Sequence, residues 1–160
     1  MRDAIVKEIE HAYAGVTLDG GVSLNQAVHI DNYMQRISEL EFRALPESEV
    51  THDWAMIPND VLEDFNNVAF LDAKGFKYYI PALMLAILEN YEVESTAGTI
   101  LALYPKTKDG EFRYSELSVP QLRAIARYVR ELPKLVEIYG PDRTILERAY
   151  RNYWIKYLED

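Results

Sequence analysis

The sequence predicts an all-α bundle of about six or seven helices wrapped around one apolar helix near residues 81–90. Three observations predict it. Apolar side chains recur at helical spacing along most of the chain, with almost no alternating pattern. The stretch Pro81-Ala82-Leu83-Met84-Leu85-Ala86-Ile87-Leu88 is apolar almost all round, which places it inside a sheath of other helices. The chain has 160 residues, 49% of them apolar and 27% charged, enough for one self-supporting core, so residues 1–160 read as a single domain.

The first helix runs from Asp3 to about Ala14, with Ile5, Ile9, Ala12 and Val16 on one side. Gly15 and then Gly20-Gly21 end it in a loop. Ser23 opens the second helix, and Gln26 completes a capping-box pattern. Leu24, Ala27, Val28, Tyr33 and Ile37 are its expected core contacts. Pro46 and Pro58 interrupt the next region, Pro58 beginning a short helix to about Asn66. Asp72 caps the following helix, and Gly75 is a flexible early position in it. Pro81 removes a donor and biases Ile80 toward extended backbone, so a break is expected after Tyr79, with Pro81 starting the central helix. A helix from Ser95 to Tyr104 is closed by Pro105. Asp109-Gly110 is a turn signal that allows a minor β-hairpin over 106–114. Ser118, Pro120 and Gln121 start a helix with the inner stripe Leu122, Ile125, Val129 and Leu132, which Pro133 kinks or ends. After Gly140, a last helix from Pro141 to Leu158 carries the stripe Leu146, Ala149, Tyr150, Tyr153, Trp154 and Tyr157.

Composition excludes several chemistries. Cysteine is absent, which removes disulfide scaffolds, thiolate zinc sites and cysteine nucleophiles. With 17 basic and 26 acidic residues the net charge is −9, unfavourable for nucleic-acid or anionic-membrane partners. The longest uncharged apolar run, Ile80 to Leu88, would span about 14 Å as a helix, against ~30 Å of membrane hydrocarbon. Charges interrupt the first ten residues, so no export signal is expected and the cytoplasm is the expected compartment.

One stretch is distinctive. It reads Trp54-Ala55-Met56-Ile57-Pro58, then Phe70-Leu71-Asp72-Ala73-Lys74-Gly75-Phe76-Lys77-Tyr78-Tyr79-Ile80-Pro81-Ala82. It resembles a bacterial family of small helical proteins known only as a domain of unknown function, marked by W-x-x-I-P followed by F-L-D-x-x-G-F-x-[FY]-Y-[LI]-P-A. Gln121, Ile125, Tyr128-Val129 and Tyr153-Trp154 also fit it. The resemblance implies the helical fold and brings no activity, cofactor or catalytic residue with it.

Candidate sites follow from chemistry alone. Trp54, Asp72, Tyr78 and Tyr79 either line a pocket with aromatic walls and polar handles, or pack and cap the core around a helix break. His11, His29 and His52 are dispersed, and no metal-binding spacing, nucleophile elbow, phosphate loop or dinucleotide fingerprint occurs, so neither metal nor cofactor is expected. Charge is uneven. Residues 1–100 hold six basic and 17 acidic side chains, whereas residues 101–160 hold 11 and nine. Within 39–64 Arg43 alone faces eight acids: Glu39, Glu41, Glu47, Glu49, Asp53, Asp60, Glu63 and Asp64. That region is either a solubilising face or a docking surface for a basic protein, with Phe42, Trp54 and Phe65 as apolar anchors. The expected function is therefore that of a small acidic protein binder, immunity- or inhibitor-like, contacting its partner through Glu47, Glu49, Asp53, Trp54, Asp60, Glu63 and Asp64. An enzyme or small-ligand pocket at Trp54, Asp72, Tyr78 and Tyr79 is the alternative, and the C-terminal aromatic stripe offers a homo-oligomer contact.

Overall fold

The computed structural model describes residues 1–32 and 36–159. Among these it is all-helical, without strands. Nine α-helices follow in order: α1 (Arg2–Ala12), α2 (Leu24–Asp31), α3 (Glu39–Ala44), α4 (Asn59–Glu63), α5 (Ala73–Glu89), α6 (Ser95–Ala102), α7 (Lys108–Phe112), α8 (Val119–Leu135) and α9 (Pro141–Asn152). Short 3-10 turns lie at Leu45–Ser48, Trp54–Met56, Val68–Phe70 and Trp154–Tyr157. None of the described helices is long and apolar enough to cross a membrane.

Helix starts follow local side-chain chemistry. Ser23 Oγ accepts from the Gln26 amide at 3.2 Å, while Gln26 Oε1 accepts from the Ser23 amide at 2.9 Å. Ser118 and Gln121 repeat this reciprocal box at α8. Both glutamines do more: Gln26 Nε2 donates to the Phe42 carbonyl at 3.0 Å, and Gln121 Nε2 donates to the Ala12 carbonyl at 3.1 Å and ties α8 to the end of α1.

α5 is the hub, in contact with α1, α4, α6 and α8. From Tyr78 to Leu88 every side chain except Leu85 is buried, and Met84 and Ile87 are fully so. The Tyr128 hydroxyl of α8 donates to the Met84 carbonyl at 2.8 Å, a polar contact inside the apolar core. α8 turns Ala124, Ile125, Tyr128, Val129 and Leu132 inward; Leu122 from its predicted stripe is only half-buried.

Two expectations are corrected. No break precedes Pro81: α5 runs unbroken from Ala73 to Glu89 with Pro81 inside it. An internal proline costs ~3 kcal/mol through one lost bond and a clash. Full burial of Ile80, Leu83, Met84 and Ile87 supplies roughly 1.5–3 kcal/mol each, so packing outweighs the local penalty. The hairpin at 106–114 is instead α7. Thr107 Oγ1 accepts from the Gly110 amide at 3.3 Å, and Asp109 and Glu111 sit in the first turn where the helix dipole favours acids. The Tyr114 hydroxyl then docks the segment on the Ala102 carbonyl at 2.6 Å.

Smaller differences concern element ends. α2 stops at Asp31, leaving Val28 exposed and Ile37 half-buried; Tyr33 lies outside the described residues. Pro58 is the N-cap of α4 rather than its first residue, and α4 ends at Glu63. α9 stops at Asn152 and hands over to the Trp154–Tyr157 turn.

A buried acid in α8 gives the fold a pH dependence. The Glu131 side chain is 5% exposed and is bonded by Arg130 at 2.7 Å and Lys134 at 3.2 Å. Burial alone would raise its pKa, but the bonds from Arg130 and Lys134 outweigh that and hold it below the ordinary 4.5. A depressed folded-state pKa stabilises the fold above the unfolded value, and this stabilisation is lost as pH falls through the folded value. Glu131→Gln is therefore expected to cost about 1–3 kcal/mol at neutral pH. The gap from the parent protein should close as pH drops below 4.5, as read by urea denaturation across pH. A gap that stays constant with pH would count against this assignment.

Candidate functional site

The site is built on the Trp54–Pro58 segment. Asp53 Oδ1 accepts from the Ala55 amide at 3.0 Å and starts the 3-10 turn. This sets the Trp54 indole N–H on the Tyr13 carbonyl, at 2.9 Å, where α1 ends. The Tyr13 hydroxyl in turn reaches the Gln121 carbonyl at 3.4 Å, so the segment is anchored to both α1 and α8.

Trp54 is 6% exposed, and that remnant faces a cleft of about 350 Å³. Ile57 and Leu62 continue the floor from one side; Ala82, Leu85 and Ala86 of α5 supply it from the other. Glu10 of α1, Asp53 and Glu89 of α5 stand at the rim, all exposed. None of the three is in an ion pair among the described residues. An apolar floor beneath three unneutralised carboxylates suits a group with an apolar stem and a positive head. A second hollow of about 210 Å³ lies beyond Ile57, which lines both.

The sequence-predicted residues divide among different tasks. Asp72 is exposed and structural: its Oδ1 accepts from the Gly75 amide at 2.8 Å and the Val22 amide at 2.9 Å. The Tyr78 hydroxyl donates to the Val50 carbonyl at 2.7 Å. Burial pushes it up to about 12; the Asp53 amide opposes this and the charges of Asp53 and Glu49 add to it. Tyr79 packs edge-on against Tyr78, ring centroids 4.8 Å apart, and lines the second hollow. Trp54 lines the first hollow and Tyr79 the second, and neither Asp72 nor Tyr78 lines either of them.

Glu47, Asp60 and Asp64 are exposed and Glu63 half-buried, all without ion pairs among the described residues. Glu39 is engaged by Arg43 at 2.6 Å. Glu49 accepts from the Asn25 amide at 3.2 Å through Oε1. By contrast, on the basic C-terminal half Arg127 is held by Glu8, Arg130 and Lys134 by Glu131, and Arg143 by Glu147. Most acids of 39–64 thus stay unpaired among the described residues, whereas four of the eleven basic side chains of 101–160 are held in ion pairs.

Phe65 is 5% exposed and belongs to the core, so it cannot serve as the anchor expected of it. Phe42 is half-buried beside the His29 ring, centroids 5.8 Å apart. Exposed Val61 lines the second hollow, and exposed Met56 stands in the chain between the cleft residues Ala55 and Ile57. Trp154 of the C-terminal stripe is fully buried, and Tyr150, Tyr153 and Tyr157 half-buried around it. Among the described residues no group of three or more His, Asp or Glu is placed to hold a metal ion.

Glu10 and Glu89 were not legible as site residues. They come from helices almost eighty positions apart, and the only local hint is that Glu89 directly follows the apolar run.

A family model, described as a family of unknown function (DUF6714), matches residues 1–158. The chain belongs to this family. No curated protein and no solved structure matches it. In this DUF6714 member, the Phe70–Ala82 segment does structural work at both ends: Asp72 and Gly75 hold the 20–22 loop, and Ile80 and Pro81 sit in the core. The Trp54–Pro58 segment borders both hollows, and Tyr79 and Ala82 of the later segment line one each.

Proposed function

We propose that this protein binds a basic protein partner, seating a cationic side chain of that partner in the acid-rimmed cleft over Trp54. The cleft itself carries the reading: a tryptophan-floored hollow whose rim holds Glu10, Asp53 and Glu89, with no basic side chain paired to them among the described residues. The acidic surface of 39–64 extends this field and steers a positive partner toward it. Met56, 65% exposed and between the cleft residues Ala55 and Ile57 in the chain, offers an adaptable apolar contact. An immunity- or inhibitor-like role fits such a surface by analogy of size and charge. Catalytic use of Asp72 has less support, because both its known partners are backbone amides that shape a loop.

The test is a calorimetric titration with a lysine-rich amphipathic peptide at low ionic strength. Neutralising the rim with Glu10→Gln, Asp53→Asn and Glu89→Gln together is expected to weaken binding about ten-fold, since exposed pairs contribute ~0.5 kcal/mol each. Raising salt should weaken the parent protein more than the variant, which keeps the other acids of 39–64. Equal affinity of the two proteins at low salt removes the reading.

A further inference from the structure

The chain holds two Asp-Gly pairs, Asp19-Gly20 and Asp109-Gly110, and the fold treats them differently. In such a pair the backbone nitrogen of the glycine can attack the aspartate carboxyl, because no Cβ obstructs the ring that forms. Asp19 and Gly20 make the tip of a tight turn, closed by the Gly21 amide donating to the Leu18 carbonyl at 2.9 Å. Both have positive φ, 50° and 77°, and Asp19 is the one non-glycine residue so placed among the described residues. A turn of this shape favours Asp-Gly. It also leaves the nucleophile free: the Gly20 amide donates to no protein group among the described residues. Gly20 is exposed, with no atom within 4 Å of where its Cβ would stand, and the Asp19 side chain is 79% exposed. At the other pair the Gly110 amide is engaged, donating to Thr107 Oγ1 at 3.3 Å in the first turn of α7.

We propose that Asp19 is a site of spontaneous isomerisation to isoaspartate, and that the fold protects Asp109 from the same reaction. The Gly20 nitrogen bonds to Asp19 Cγ. The carboxyl C–OH bond breaks, and the hydroxyl leaves as water with the amide proton, giving a cyclic imide. Water then opens the ring. Attack at Cγ restores aspartate. Attack at the main-chain carbonyl carbon breaks its bond to the Gly20 nitrogen and leaves the chain running through the side-chain carboxyl. Water is the only co-reactant. Lys74 Nζ stands 3.6 Å from Asp19 Oδ2, but an exposed pair of this length is a weak restraint. The product has one more backbone atom in a turn with no slack. The Leu18 amide is fixed to the Thr51 carbonyl and the Val22 amide to Asp72 Oδ1, both at 2.9 Å. Between them Gly21 lies so close to α5 that a Cβ would come within 2.6 Å of the Gly75 nitrogen. Isomerisation therefore loosens the junction between this loop and the start of α5. It does not depend on the partner reading above.

The test ages the full chain in buffer at a temperature below unfolding. Aliquots are denatured and digested with an endoproteinase that cuts before aspartate but not before isoaspartate. Resistance at the Leu18–Asp19 bond reads the site, and the Lys108–Asp109 bond is the internal reference. Resistance should accumulate about ten-fold faster at Asp19, since one hydrogen bond must open before Gly110 can react. Ageing in denaturing urea should bring the two rates together. Asp19→Asn, which tolerates the same backbone, forms the same imide with ammonia as leaving group and should react several-fold faster than the parent. Equal rates in the folded protein, a faster Asp109, or no gain in the asparagine variant overturns the assignment. An aged sample held at its urea midpoint and pulsed with thermolysin should leave folded survivors depleted of isoaspartate. Survivors as rich in it as the starting sample would overturn the loosened junction.

Discussion

Gly75→Ala is expected to destabilise the protein by about 2 kcal/mol, although alanine is the better helix former by ~1 kcal/mol. A Cβ at this position would stand 2.5 Å from the Val22 carbonyl oxygen and 2.9 Å from Asp72 Oδ1. Neither atom belongs to a flexible side-chain end. The first is backbone, and the second is the cap that joins α5 to the 20–22 loop. Overpacking a tight site costs ~1–3 kcal/mol, and disturbing the cap adds ~1 kcal/mol, so strain exceeds the gain in propensity. Gly21 faces the same junction from the other side, where its Cβ would come within 2.6 Å of the Gly75 amide nitrogen. Urea denaturation followed by circular dichroism measures the loss. A Gly75→Ala protein as stable as its parent would mean that loop and helix do not approach as described.

Trp154→Ala should be costlier still, about 3–5 kcal/mol. The ring is fully buried and packs against Tyr114 and Tyr153, each with centroids 4.9 Å away, and against Tyr157 at 5.8 Å. Its N–H donates to the Leu103 carbonyl at 2.6 Å, joining the C-terminal turn to the end of α6. Truncation opens a cavity among these rings and strands a buried carbonyl. The same denaturation experiment decides it: a change below ~1 kcal/mol would place Trp154 outside the core.

What could be read from sequence depended on how local its cause was. The Ser23–Gln26 and Ser118–Gln121 boxes and the Asp72 cap act within four residues, and each was legible. So was the burial of the helix after Pro81 on nearly every side, which follows from composition, Leu85 being the exception. The continuation of α5 through Pro81 was not, because a local rule gave way to packing supplied by α1, α4, α6 and α8. Asp109-Gly110 misled for a related reason: Thr107 and the Tyr114–Ala102 bond commit the segment to helix, and the latter is tertiary. The acidic character of 39–64 was plain in the chain, and so was the prominence of Trp54. The cleft that unites Trp54 with Glu10 and Glu89 was not, since α1, the 53–62 segment and α5 meet only in the fold.

The chain contains two tryptophans, which allows a direct test of the binding claim. Their indole N–H resonances separate a cleft residue, Trp54, from a fully buried one, Trp154. During titration with the lysine-rich peptide at low ionic strength, the Trp54 signal should shift saturably while that of Trp154 stays still. Added salt, or neutralisation of Glu10, Asp53 and Glu89, should abolish most of the shift. A Trp54 resonance that remains fixed while peptide binds, or that shifts equally in the neutralised variant, would contradict the account.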